Sequence, residues 1–383
     1  MRILAFDETG VQAADRSLWR RLNERGGCTI HLAVPGRWKE LGMVHRAEPE
    51  STGLDVRTCT VLLAGRSHRA YWTGLVRLWR EIQPDCVYVN AEPESVLAWQ
   101  AAIAKRRFFP GTRLVFMSWR NLRYPPGVYP YRAPFLNAAA ERAVLRAADL
   151  CIARNETARR IFAERGFREV VLLPPAVDTD LFVPPDPPTQ RGAFVIGYAG
   201  RLVREKNLDL LLEAVAGLPA DTRCVLAGAG PDRSRLEGIA RRSELGGRVE
   251  FPGPVPRSFM PCLLGALDVF VLPSRTGVLW KEQFGRVLVE AMACGVPVVG
   301  SDSGEIPAVI GEAGYIFPEG DSRELRTCLQ ILHGSAAERE RLRELGLRRS
   351  RGCYSVGVLA PAYGEVFGCG VPPGTPPAPA IDC

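Results

Sequence analysis

Two glutamates, Glu282 and Glu290, stand eight positions apart in the stretch LPSRTGVLWKEQFGRVLVEAMACGVPVVGSDSGEIPAVIGEAGYIFP, residues 272–318. A Phe284-Gly285 step lies between them and opens the run VLVEAMA, which reads as a helix stopped by Gly295 and Pro297. PVVGS then reads as a short buried strand. A helix start with a glycine beside it offers backbone N–H groups and the positive end of a dipole to an anion. If all eight steps were helical, the carboxylates would be about 12 Å apart along the axis. That span suits one acid at each end of an extended ligand whose negative middle rests on the helix start. Taken singly, either glutamate is an ordinary solvated acid complementing the dipole.

A second constellation is FVIGYAGRLVREKNLDLLLEAV. A buried strand ends at Gly200, Arg201 follows at once, and Lys206 precedes Asn207, a predicted helix N-cap. Both cations thus lie at the mouth of a strand-loop-helix turn, where phosphates are commonly held. Lysine is scarce here: Lys39, Lys105, Lys206 and Lys281 are all of it, and arginine fills the other basic positions. An ammonium and a guanidinium do different work, so a lysine at this turn carries information. Alone, two loop cations are surface charges. Joined to the helix start and the two acids, they suit a diphosphate flanked by sugar hydroxyls.

The elements that must position these residues alternate. Strand-like runs at 2–6, 29–34, 56–63, 85–89, 113–117, 149–153 and 169–173 are separated mostly by helical stretches, among them 11–24 and 68–82. The latter repeats Trp72, Leu75, Val76, Trp79 and Ile82 at helical spacing. The proline-rich FVPPDPPTQRG reads as a linker. Alternation then restarts with strands at 193–199, 223–227, 248–251 and 268–272 and helices from about 207, 231 and 257. Such a pattern predicts an α/β protein of two Rossmann-like, doubly wound domains facing across a cleft. The boundaries read as 1–182, a linker at 183–192, a second domain at 193–352, a closing helix at 353–368 and a disordered tail at 369–383.

Composition narrows the class. With 46% hydrophobic and 24% charged residues the chain is an ordinary soluble globular one. MRILAF lacks the apolar run of a signal peptide, and nowhere do eighteen apolar residues follow one another. Eleven scattered cysteines argue for reduced thiols and a cytoplasmic setting, and four distant histidines argue against a metal centre. No metal and no cofactor is expected. Up to Phe182 there are 27 Lys+Arg against 19 Asp+Glu; beyond it the balance is 22 against 23. The basic half favours an anionic partner or the inner face of a membrane. No nucleic-acid-binding motif accompanies the charge, so no nucleic-acid partner is expected.

At this point the residues resemble a known family. GRLVREK and EQFGRVLVEAMACGVPVV, in this order and each after an expected strand, are similar to the motifs of family-four retaining glycosyltransferases of the GT-B fold. Weaker echoes cover LLPPAVDTDLF, VLAGAGPDRSRLE, VEFPGPV and the closing CYSVGVLAPAYGEVF. The resemblance implies transfer of a sugar from a nucleotide-diphosphate sugar to an acceptor hydroxyl, with retention of anomeric configuration and without a metal. It gives Arg201 and Lys206 the donor diphosphate, Glu290 the ribose, and Glu282 with the backbone of Phe284 and Gly285 the transferred sugar. Gly200 and Val287 complete the donor side, and Val255 lies near the base. The last helix would cross back onto the first domain.

The chain departs from the family where the acceptor is concerned. The first loop, DETGVQ, carries Gly10 alone in place of a Gly-Gly pair. The strand RLVFM ends in Ser118-Trp119-Arg120-Asn121 without a histidine, and Glu305 replaces a glycine in SDSGEIP. Gly10, Glu92, Arg120 and Asn121 are the acceptor-side candidates, with a glycan, lipid-linked or small-molecule acceptor as partner. The arginine- and aromatic-rich stretch 119–135 is a candidate for acceptor or membrane contact. Rival readings are a hydrolysing nucleotide-sugar 2-epimerase, a nicotinamide-dependent oxidoreductase and a non-catalytic sugar- or lipid-binding protein. AGAGPD supplies only the first two glycines of the dinucleotide fingerprint.

Overall fold

The computed structural model describes residues 1–40, 43–123, 134–186, 192–242, 245 and 247–369. Most of the arginine- and aromatic-rich stretch (124–133), part of the proline-rich linker and the tail from residue 370 lie outside the described residues. The chain divides into two compact units, Met1–Ala176 with the segment that begins at Val356, and Val177–Ser355.

The first unit is built on a seven-stranded sheet. From one edge it runs Val170–Leu172, Leu150–Ala153, Arg113–Ser118, Cys86–Val89, Arg2–Phe6, Thr29–Pro35 and Asp55–Cys59. Every pairing in it is parallel. The strands Cys86–Val89 and Leu150–Ala153 are buried at every position, as strands covered on both faces must be. In sequence order the strands stand 7-6-5-4-1-2-3, so the order reverses between Arg2–Phe6 and Cys86–Val89. The helix Val356–Phe367 belongs to this unit. Phe367 stacks on Trp19 at 5.9 Å, and the Tyr363 hydroxyl donates to the Pro174 carbonyl at 2.9 Å.

The second unit has six strands, all parallel: Val249–Gly253, Thr222–Ala227, Phe194–Ala199, Val269–Leu272, Val298–Ser301 and Gly314–Phe317. In sequence order they stand 3-2-1-4-5-6, the doubly wound arrangement. The order reverses between Phe194–Ala199 and Val269–Leu272. The helix Leu208–Ala216 buries Leu208, Leu211, Leu212 and Val215 beside the sheet.

Two expected helices are shorter than their apolar spacing suggests. The region 11–24 starts as two 3-10 turns, and its α-helix occupies only Ser17–Glu24. In 68–82 the helix is Leu75–Ile82, because Gly74 takes a left-handed conformation (φ 78°) and Trp72 lies upstream in a two-residue strand. Trp72 and Trp79 still meet the core, at 1% and 0% exposure, so the stripe buries its residues without one continuous helix. Nine described cysteines are free thiols. Among the described residues no helix is long and apolar enough to cross a membrane.

Trp79 stacks on Phe109 at 4.9 Å and its indole N–H reaches the Thr112 hydroxyl at 3.3 Å. Trp79→Ala is expected to destabilise the first unit by about 3–5 kcal/mol. A urea titration followed by far-UV circular dichroism reads this as an earlier first-unit transition.

Candidate active site

In an open parallel sheet the crevice for a ligand lies beyond the strand carboxyl ends where the order reverses. In the second unit that place is supplied by the chain leaving Phe194–Ala199 and the chain leaving Val269–Leu272. The first gives Gly200, Arg201 and Lys206; the second gives Ser274, Glu282, Phe284 and Gly285. The Lys206 ammonium is ion-paired with the Glu282 carboxylate. Ser274 Oγ donates to the same Glu282 Oε2 at 2.7 Å, and the Trp280 ring centroid lies 5.0 Å from Lys206 Nζ. Two backbone bonds fix the frame: Arg275 N–H to the Glu205 carbonyl at 2.8 Å, and Glu305 N–H to the Glu282 carbonyl at 3.1 Å.

Local backbone demands explain why these loops lie so close. Gly200 has φ 153°, and a Cβ on Gly228 would sit 1.8 Å from the Gly200 carbonyl oxygen. Only an unsubstituted backbone permits that approach. The buried Tyr198 hydroxyl donates to the Arg201 carbonyl at 2.8 Å, while the Arg201 residue is exposed. Gly285, at φ 81°, caps the helix Arg286–Ala293, and a Cβ there would meet Leu272 Cδ2 at 2.9 Å. The helix therefore starts against the end of the strand Val269–Leu272. Phe284 is buried and edges Tyr354 at 5.5 Å. Val287, one residue into the helix, and Val255, in the turn after Val249–Gly253, are half-buried.

Glu290, 2% exposed, lies one turn along that helix from Arg286. Its Oε1 accepts from Arg257 at 2.7 Å and faces Arg286 Nε at 3.0 Å. Burial pushes this carboxyl up, but the two guanidiniums outweigh burial and hold it below the usual carboxylate range. Glu282 stands in the loop before the helix, so the all-helical spacing does not describe the pair. Asn207 takes the expected N-cap position of the helix Leu208–Ala216, in a left-handed conformation and without a side-chain cap hydrogen bond. Ser274, Trp280 and Arg257 were not singled out from sequence. Arg286 was legible as the i−4 partner of Glu290. Arg257, 33 residues away, had no such signal.

The first unit repeats the geometry with different residues. Beyond Arg2–Phe6 and Cys86–Val89 come Asp7, Gly10, Asn90, Glu92 and Glu94. Gly10 is buried, and a Cβ there would lie 2.9 Å from Val34 Cγ1. Asp7, which sequence reasoning missed, accepts from the Thr9 N–H at 3.0 Å and hydroxyl at 2.7 Å, and from the Trp19 indole at 2.9 Å. Glu92 accepts from Ser118 Oγ at 2.6 Å and Trp119 N–H at 2.7 Å. Burial, seconded by the charge of Glu94, raises the Glu92 carboxyl to about 7. The Arg120 guanidinium is 2% exposed and donates to Glu94 at 2.7 Å and Glu141 at 2.9 Å. A cation buried between two carboxylates holds the loop together. Asn121 is likewise buried, at 4% exposure. No group of three or more His, Cys, Asp or Glu able to hold a metal occurs among the described residues.

Two outcomes follow from this geometry. Gly285→Ala places a side chain at positive φ against Leu272 and Leu288, and is expected to lower stability by about 1–3 kcal/mol, read by thermal melting. Glu92 binds its proton more tightly folded than unfolded, so it makes stability fall as pH rises from the unfolded carboxyl value through about 7. Glu92→Gln should remove that contribution, and the drop in melting temperature between about pH 5 and about pH 8 should shrink.

The comparisons with known proteins agree with this architecture. The profile described as Glycosyltransferase Family 4 matches residues 10–181, and that described as Glycosyl transferases group 1 matches residues 184–348. The D-inositol 3-phosphate glycosyltransferases of Mycobacterium tuberculosis and Mycobacterium bovis are 34% identical over 193 residues, 46% of this chain and 39% of theirs. The match thus spans about two fifths of the length of these curated relatives. Among solved structures, sucrose-phosphate synthase from Thermosynechococcus elongatus superposes with TM-score 0.72 at 19% identity, covering 96% of this chain and 98% of its own. HepE from Anabaena, solved in complex with UDP, gives 0.72 at 20%, covering 96% and 100%. Identities this low speak for the fold alone, and that fold agrees with the two doubly wound units. With both halves matched in order, the chain belongs to the family-four glycosyltransferases of the GT-B fold.

Proposed function

We propose that the chain is a retaining glycosyltransferase that moves a sugar from a nucleoside-diphosphate sugar to an acceptor hydroxyl. The observation that carries this reading is the meeting of Lys206 with Glu282 beside the helix start at Gly285, where the strand order of the second unit reverses. In the proposed complex the diphosphate lies along Gly200, Arg201, Lys206 and the first turn of the helix Arg286–Ala293. Glu282, with the backbone of Phe284 and Gly285, accepts from hydroxyls of the transferred sugar. Glu290 accepts from the ribose, with Val287 beside it, and the turn at Val255 borders the base. Cleaving the sugar–phosphate bond builds negative charge on the departing diphosphate, and fixed cations and N–H groups lower that barrier most where water is excluded. Arg201, exposed and without an ion pair among the described residues, is ready to meet that charge.

The solved neighbours include HepE in complex with UDP-glucose, which supports a nucleoside-diphosphate sugar as donor. On the acceptor side, the reading places the hydroxyl near Gly10 and Glu92, at the reversal of the first sheet. The excess of positive charge before residue 183 supports an anionic acceptor, and equally a peripheral contact with an anionic membrane surface on the cytosolic side. The phosphate-bearing substrate in the relatives' name points the same way.

Lys206→Ala and Glu290→Ala are each expected to reduce transfer by about 10²–10³-fold with the circular-dichroism spectrum unchanged. Turnover would be measured over a panel of uridine, guanosine and adenosine diphosphate sugars. Wild-type rates in both variants would remove the site assignment.

A further inference from the structure

We infer that Arg257 is a positioning residue for the nucleoside half of the donor, holding the Glu290 carboxylate in place and tying it to the turn Gly253–Pro256. The inference rests on the donor site proposed above and adds a residue from outside its two motifs. Arg257 opens the 3-10 turn Arg257–Phe259 directly after that turn. Its guanidinium donates to Glu290 Oε1 at 2.7 Å and lies over the ring of Phe182 at 4.7 Å. Phe182 is fully buried and is fixed in its own turn by its N–H to the Asp178 carbonyl at 2.9 Å. One planar side chain therefore joins three segments distant in sequence: the entry into the second unit, the turn assigned to the base, and the helix carrying the acid assigned to the ribose. Base and ribose positions are then set together.

The two arginines on Glu290 are not equivalent. Arg286 rises from the same helix and its side chain is 41% exposed, so solvent and salt screen it. Arg257 is 12% exposed, and its charge acts on Glu290 with little screening. Cys294, which feels the charge of Glu290, supplies no positive charge, and burial pushes its thiol up to about 12. With Arg257 neutralised, burial gains on the remaining guanidinium and the carboxyl moves upward. It then protonates as the pH falls, and a protonated acid accepts poorly from ribose hydroxyls. A lysine would keep the charge but could not lie flat on Phe182 while reaching Glu290.

The test is donor kinetics of the full chain with Arg257→Gln, Arg257→Lys and Glu290→Gln, from about pH 5.5 to about pH 8. Losing a hydrogen bond to a charged group should raise donor KM about tenfold or more in Glu290→Gln, with a smaller effect on kcat. Arg257→Gln should match it at low pH and recover towards wild type as pH rises, whereas wild-type KM stays flat. Arg257→Lys should show a raised KM without the pH slope. The double variant Arg257→Gln/Glu290→Gln should be no worse than Glu290→Gln alone. Wild-type KM in both Arg257 variants, with Glu290→Gln impaired, overturns this inference only. If Arg257→Gln does not fold, wild-type KM in Arg257→Lys alone overturns it. Unchanged KM in Glu290→Gln overturns the donor-site reading beneath it.

Discussion

Lys206 and Glu282 are 76 residues apart in the chain, and their ion pair depends on which strands are neighbours. Had the sheet of the second unit kept a simple sequential order, the loops after Phe194–Ala199 and Val269–Leu272 would not share an edge. The doubly wound order makes them adjacent, and the backbone bond from Arg275 to Glu205 fixes the approach. Ser274 and the Trp280 ring then confine the lysine and the acid on further sides. The site follows from topology first and from side-chain chemistry second.

A consequence is that the acids at this edge are already paired within the chain. Glu282 holds Lys206, and Glu290 holds Arg257 and Arg286. Such pairing lets ionised groups remain buried without a ligand, because each charge has a partner in the low-dielectric interior. In the proposed complex an incoming diphosphate would compete with Glu282 for the lysine and free the carboxylate for hydroxyls. On that proposal donor binding would be an exchange of partners, which would keep desolvation modest and the groups in position. Arg201, exposed and outside these pairs, would meet a negative ligand with no exchange.

Much of this was legible because the relevant signals are local. Gly285, the VLVEAMA run and Gly295 define a helix and its ends, and the strand ending just before Gly200 places Arg201 and Lys206 at a loop mouth. What escaped depends on tertiary contacts. Arg257 is one loop arginine in an arginine-rich chain until Phe182 and Glu290 are seen around it. The pairing of Arg120 escaped because Glu94 and Glu141 are 26 and 21 residues away. The apolar stripe at 68–82 gave the buried residues but not the helix limits, since the left-handed Gly74 separates Trp72 from Leu75–Ile82. Spacing records which residues face the core; a single glycine decides how the backbone delivers them.

The central claim is that a nucleoside diphosphate binds at the sheet edge where the order of the second unit reverses. Hydrogen–deuterium exchange with and without a nucleoside-diphosphate sugar tests it most directly, because amide protection reports where a ligand touches the backbone. The account predicts slowed exchange at residues 200–206 and 284–288, with the outer edge strand Gly314–Phe317 unaffected. Protection confined to other segments, at donor concentrations that support turnover, would contradict it.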